Sequence, residues 1–336
     1  MSKAWIIVLG ALLMTAFAPA PDFRPPPIKG PAPWTSARFD QAPGDFTFAV
    51  VTDLESGYRN GVFDVAVQDL ALLRPAFVIT VGDQIEGGTE DLAQLEAEWS
   101  TFDARLAGLK APYFHVGGNH DLTNLAQRRV WALRYGPRYY HFVYRNVLFL
   151  ALDTEDYSEP RMAEIYRLRA EFLAARRTDP AKAATLPYAA LMEAKVGEIG
   201  PAQNAYFERA LAANPKVRWT VLLMHKPVWR RQGVGGLGRL EAALRDRPYT
   251  VLNGHLHRYS HTARNDRDYI TLGTTGGEWA DNEAPGAFDH IMWVTFTKDG
   301  PSIANLRLDG VLDKTGHIPA GGDGLCLERK GKNCTP

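Results

Sequence analysis

Five apolar runs in this chain stop abruptly at short polar loops, and that alternation constrains the fold more than any other feature. Phe46 to Thr52 ends at Asp53, with Leu54 and Glu55 after it. Phe77 to Val81 ends at Gly82-Asp83, and Tyr113 to Val116 at Gly117-Gly118-Asn119-His120-Asp121. Trp219 to Met224 ends at His225, and Tyr249 to Asn253 at Gly254-His255-Leu256-His257. Short continuous runs rich in β-branched and aromatic residues mark buried strands. Between the first three lie two sets at helical spacing: Phe63, Ala66, Val67, Leu70 and Leu73, then Leu92, Leu95, Trp99, Phe102 and Leu106. Thr89 is the expected N-cap of the second helix, with Glu90 and Asp91 at its positive end. Strand, helix, strand, helix, strand implies a largely parallel sheet with helices on its faces. Ligands of such sheets collect beyond the carboxyl ends of the strands, so the topology gathers the polar loops in space.

The gathered groups are Asp53, Glu55, Asp83, Asn119, His120, His225, His255 and His257. Mixed carboxylate, amide and imidazole donors suit a pair of borderline-hard ions such as Fe, Mn or Zn. Two ions bridged by a carboxylate bind phosphate and generate hydroxide at neutral pH. His120 beside Asp121 offers a proton donor steadied by an acid. His115, His141, His261, His290 and His317 have no such company and read as structural or exposed.

In order, these motifs resemble the calcineurin-like metallophosphoesterases, whose pattern runs D-x-H, G-D, G-N-H-[DE], H and G-H-x-H. The resemblance spans Phe46 to Leu308 and takes in exported relatives, purple acid phosphatases and class III cyclic-nucleotide phosphodiesterases. It implies an α/β fold, a four-layer α/β/β/α sandwich of two mixed sheets flanked by helices. It implies that Asp53 and His257 hold a first metal, that Asp83 bridges both, and that Asn119, His225 and His255 hold a second. It implies hydrolysis of a phosphomonoester or phosphodiester by a metal-bridging hydroxide, with His120 as proton donor and Asp121 steadying it. Glu55 stands where the family has the histidine of D-x-H, and as a carboxylate it is expected to ligate the first metal. A second class of function stays open on that substitution: a metal-stabilised binding module without catalysis.

The rest of the chain sets the boundaries. Lys3 followed by the apolar run Ala4 to Ala18 reads as a signal peptide or N-terminal anchor over residues 1–20. That places the protein outside the cytoplasm, periplasmic or secreted. Residues 21–44 are a proline-rich linker, with Pro21, Pro25, Pro26, Pro27, Pro31 and Pro33 among them. Residues 45–310 are expected to form the domain, and 311–336 a tail in which Cys326 and Cys334 close a disulfide. Tyr139 to Tyr144 and Val147 to Leu152 read as a hairpin turning at Arg145-Asn146. Residues 156–200 are helical and Ala-rich and interrupt the strand pattern, so they read as an insertion. Its arginines, Arg161, Arg167, Arg169, Arg176 and Arg177, could meet an anionic substrate, but they read best as a solvated face. Charged residues are 23% of the chain and the formal net charge is +0, which argues against a nucleic-acid partner. The expected partner is a small or macromolecular phosphoester, with a membrane entering only through an uncleaved anchor.

Overall fold

The computed structural model describes residues 43–325 and 327, apart from 56, 234 and 280–285. The signal segment, most of the linker and both cysteines lie outside the described residues. No helix among the described residues is long and apolar enough to cross a membrane.

Two mixed sheets stack face to face, with helices outside each. The strands are β1 Phe46–Val51, β2 Val78–Thr80, β3 Tyr113–Phe114, β4 Tyr140–Tyr144, β5 Val147–Ala151, β6 Trp219–Met224, β7 Tyr249–Asn253, β8 Ser260–Arg264, β9 Arg267–Thr271, β10 His290–Thr297 and β11 Gly300–Arg307. One sheet has the order β11-β10-β1-β2-β3, the other β4-β5-β6-β7-β9-β8. β1, β2 and β3 are parallel, as are β5, β6, β7 and β9. β4, β8, β10 and β11 pair antiparallel at the flanks.

Side-chain alternation along the strands explains the layering. Phe48 and Val50 of β1 point inward and meet Phe149, Val221 and Leu223 of the other sheet. Ala49 and Val51 point the other way, onto helices Val62–Leu73 and Leu92–Leu106. Leu148, Leu150 and Leu222 likewise face helices Pro201–Ala213 and Gly238–Ala243. Stacked and edge-on pairs among Phe46, Phe48, Phe77 and Phe149 fill the space between the sheets.

The structure departs from the sequence reading at several elements. Asp91, not Thr89, caps helix Leu92–Leu106, because its carboxylate reaches the amides of Ala93 and Gln94. Thr89 Oγ1 instead accepts from Asp91 N. The Asn119–Leu122 stretch is a turn of helix rather than an open loop. Helices Leu125–Arg134 and Gly238–Ala243 and strand β8 add to the expected elements. β8 hides in the sequence because it is a polar edge strand with alternate burial. Ile318, Leu325 and Leu327 pack into the cluster around helix Val62–Leu73, so the core extends beyond residue 310. The insertion is helical, as Glu159–Thr178, Pro180–Ala183, Pro187–Ala190 and Met192–Val196.

Candidate metal centre

The carboxyl ends of β1, β2, β6 and β7 converge at one rim of the sandwich. Main-chain bonds weld them: Asp53 N donates to Gly82 O at 3.1 Å, and Gly254 N to His225 O at 3.1 Å. His255 N crosses between the sheets to the Asp53 carboxylate, at 3.0 Å to Oδ2 and 3.2 Å to Oδ1.

Four residues there adopt left-handed backbone: Asp53 (φ 49), Asp83 (φ 56), His255 (φ 73) and His257 (φ 50). A residue with a Cβ occupies that region at a cost of about 1–3 kcal/mol, so such clusters mark places where geometry matters more than comfort. The conformation stops the strand and swings each side chain over the rim. Glycines make the necessary room. A Cβ on Gly82, itself at φ 107, would lie 2.4 Å from His225 Nδ1, and one on Gly118 would lie 2.2 Å from Asp83 Oδ1.

Two groups of ligand atoms result, each drawn together within 4.8 Å: Asp53, Asp83 and His257, and Asp83, His225 and His255. Asp83 belongs to both. His225 Nε2 lies 3.1 Å from Asp83 Oδ2 and 3.2 Å from Asn119 Oδ1. His257 Nε2 lies 3.1 Å from Asp53 Oδ1. Each imidazole turns its other nitrogen to a backbone carbonyl: His225 Nδ1 donates to Val81 O, His255 Nε2 to Ala194 O, and His257 Nδ1 to Glu278 O. Those bonds fix ring orientation and leave the inward nitrogen free to meet a cation.

Electrostatics agree with that use. Burial pushes the His225 imidazole down, but the facing Asp83 carboxylate outweighs it and carries it up to about 9. Burial also pushes His257 down, and Asp53 likewise carries it up to about 9. Asp83 sits well below the usual carboxylate range, because His225 and His120 overcome its burial. A positive charge belongs between these groups, whether a proton or a metal ion. Burial, with the neighbouring His225 and Lys226, holds His255 well below the usual range, and the Asp83 carboxylate only partly offsets them.

His120 is buried, with its amide donating to Asp83 Oδ1 and its Nδ1 to Glu86 O. Its steadying partner is therefore a main-chain carbonyl and not Asp121. The Asp121 carboxylate accepts from the amides of Asp83, Gln84, Ile85 and Gly118. It staples the β2 loop to the Gly118 turn, which is a positioning role rather than direct support of the imidazole. Glu55 also departs from expectation. It joins neither ligand group, and its Oε1 accepts from Arg105 at 3.2 Å. Burial pushes Glu55 up to about 7, with Arg105 pulling the other way. Arg59, near in sequence, is engaged elsewhere, on the buried Asp289. His115 is structural as expected, bonded to Gln84 Oε1 and stacked on Tyr135.

Sequence reasoning misses the supporting carbonyls of Val81, Ala194 and Glu278, which carry no side-chain signal. It also misses Asp289, which holds the glycine turn after β9 through Thr274 Oγ1 and Gly276 N. That turn meets β1 where Gly277 N donates to Asp53 O. Arg169 of the insertion, whose Nη2 lies 3.2 Å from His120 Nε2, is not the solvated charge expected of it.

The calcineurin-like phosphoesterase family pattern matches residues 46–259. Among solved structures, a dimetal phosphatase from Danio rerio superposes with a TM-score of 0.52 at 16% identity, over 78% of this chain and 98% of that one. The structure of PhoD gives a TM-score of 0.52 at 13% identity, over 79% of this chain and 70% of that one. At such identities the likeness is one of fold. No curated protein sequence matches the chain. The family match runs from β1 through both G-D and G-H-x-H loops, and with it the chain belongs to the calcineurin-like phosphoesterases, metal-dependent hydrolases of phosphoric esters.

Proposed function

We propose that this chain is an exported phosphoesterase, periplasmic or secreted, that works with two transition-metal ions such as Fe, Mn or Zn. The observation that carries the reading is the sharing of Asp83 between two groups of three ligand residues. The donors suit such ions: carboxylate oxygens, a neutral amide oxygen, and imidazoles already anchored on their far side. In this assignment Asp53 and His257 would hold the first ion, and Asn119, His225 and His255 the second, with Asp83 common to both groups.

Ions held by these residues would supply Lewis-acid polarisation of a phosphoryl group and a water of lowered pKa. The other tasks fall to the chain. His120 would pass a proton from Nε2 to the departing oxygen, after taking one up there as substrate draws Arg169 away. Before that, Nδ1 donates to Glu86 O and Nε2 accepts from Arg169 Nη2. Asp121 holds together the two loops that carry Asp83 and His120. Lys3 and the apolar Ala4 to Ala18 support export.

Elemental analysis, followed by hydrolysis of an aryl phosphomonoester and an aryl phosphodiester, tests the reading. Two equivalents of metal with turnover of at least one ester are expected. Two equivalents with no turnover of either would favour a metal-stabilised binding module.

A further inference from the structure

Arg169 lies on the insertion helix Glu159–Thr178, yet it is only 6% exposed. Its Nη2 donates to His120 Nε2 at 3.2 Å. Tyr166, one turn earlier, donates its hydroxyl to Gly88 O at 3.3 Å, so this helix face is docked on the loop after Asp83. Gly88, at φ 63, leaves room for the guanidinium: a Cβ there would lie 2.6 Å from Arg169 Nη1.

The surroundings of this guanidinium set it apart. It carries five donors and a positive charge. Among the described residues it has no carboxylate partner, and its one side-chain hydrogen bond goes to His120. Other arginines are engaged with carboxylates, as Arg59 with Asp289, Arg161 with Glu193 and Arg264 with Glu241, or with two main-chain carbonyls each, as Arg218 and Arg247. A buried cation without a counter-anion is unfavourable, so the place is set for an anion that arrives from outside.

We infer that Arg169 is a substrate-binding residue that grips non-bridging phosphoryl oxygens, beside the His120 that faces the departing one, and that the site is matched to the dianionic terminal phosphate of a monoester. The inference rests on the phosphoesterase reading above. Charge supplies the substrate class. Asp53 and Asp83 cancel two of the charges of two divalent ions, and a hydroxide nucleophile cancels one more. Arg169 brings the remainder from one positive charge to two, which balances a dianion and over-balances a diester monoanion. Glu55 stays out of this sum because Arg105 neutralises it. The planar guanidinium fork also fits two oxygens of one phosphoryl group.

The test uses the metal-loaded protein with inorganic phosphate as the probe, titrated calorimetrically. Steady-state kinetics on an aryl monoester and an aryl diester accompany it, for wild type, Arg169→Gln and Arg169→Lys. Arg169→Gln is expected to weaken phosphate binding roughly ten- to a hundredfold and to lower monoester kcat/KM by at least as much. Diester kcat/KM should fall less, metal content should hold, and Arg169→Lys should recover part of the loss by returning charge without the fork. Unchanged phosphate affinity at full metal content would overturn the assignment, since a merely structural arginine moves thermal stability and not anion binding. Equal losses on both esters would overturn the monoester preference. If wild type hydrolysed neither ester while Arg169→Gln still lost phosphate, the phosphoesterase reading would fail and the anion site would stand. An active wild type whose phosphate affinity ignores the substitution would do the reverse, keeping the phosphoesterase and removing the anion site.

Discussion

The strand-end loops and the helical insertion serve the same site by different means. The loops present side chains directly, at motifs a few residues long, from strands whose register fixes them. The insertion contributes from outside the sheets, mostly by main chain: Ala194 O orients His255, and Glu193 O accepts from Lys226 Nζ at 3.0 Å. Arg176 reaches Glu278, whose carbonyl in turn orients His257. The insertion therefore reaches the site directly at Ala194 and through Glu278 from Arg176. The loops supply the ligands, and the insertion orients one of them, His255, and sets Arg169 against His120.

The strongest attack on that division is Asp83→Asn. Asp83 belongs to both ligand groups, so its change should remove more metal than a change at any other single ligand and should abolish turnover. Metal content by elemental analysis is the readout. Retention of both ions would show that the loops do not share a ligand in this way. Next comes His120→Ala. With fold and metal kept, kcat/KM should fall by about 10²–10⁴-fold, the usual worth of a positioned proton donor. A matching loss of metal would make His120 a ligand instead.

A smaller effect tests the insertion. Lys226 and Glu155 form an ion pair at 2.5 Å with both side chains 2% exposed, and Lys226 also holds the Glu193 carbonyl. Lys226→Met leaves the carboxylate without its cation, which commonly costs about 3–5 kcal/mol. Burial already raises the Glu155 pKa, and Lys226 is the main force lowering it. Without Lys226 the folded-state pKa rises further above the unfolded value. Stability is then kept at low pH, where the carboxyl is protonated, and is lost as pH rises through the folded pKa. Thermal melts should show a larger deficit for Lys226→Met at pH 8 than at pH 5. A pH-independent deficit would mean that the insertion is held by packing and not by this pair.

The same contrast explains what the sequence discloses. Each strand-end motif is local: an apolar run, a turn, then a ligand type. The layers follow from period-two alternation, so the two-sheet architecture is legible too. The insertion is not. Its support runs through carbonyls, and every residue has one of those. Arg169 does leave a trace, because Met162, Ile165 and Arg169 follow one another at spacings of three and four and all are buried. A charge in step with an apolar stripe is a different signal from a charge on the opposite face. Grouping it with Arg161, Arg167, Arg176 and Arg177 by composition erases that phase. Asp121 shows the reverse failure. Its proximity to His120 suggests direct contact, but on a single turn of helix its carboxylate folds back onto four main-chain amides.

Glu55 offers the finest cut between ligands and their surroundings, because it sits two residues after Asp53 and yet faces another way. Its carboxylate meets Arg105, in the last turn of helix Leu92–Leu106, and that guanidinium lies 4.3 Å over the Tyr58 ring. The contact ties the β1 loop to the outer helix layer. As a ligand, Glu55 would remove an ion on neutralisation; as a tether it would remove only part of a half-buried ion pair. Glu55→Gln keeps the shape and still accepts from Arg105. The expected result is full retention of both metals, kcat/KM within about threefold of wild type, and a stability loss of about 1 kcal/mol or less. Losing one equivalent of metal would return Glu55 to the first ligand group and undo the charge sum that leaves room for a dianion. Retention would mean that the site does not depend on the position where this chain departs from the family pattern, since Asp53, Asp83 and His257 suffice on that side.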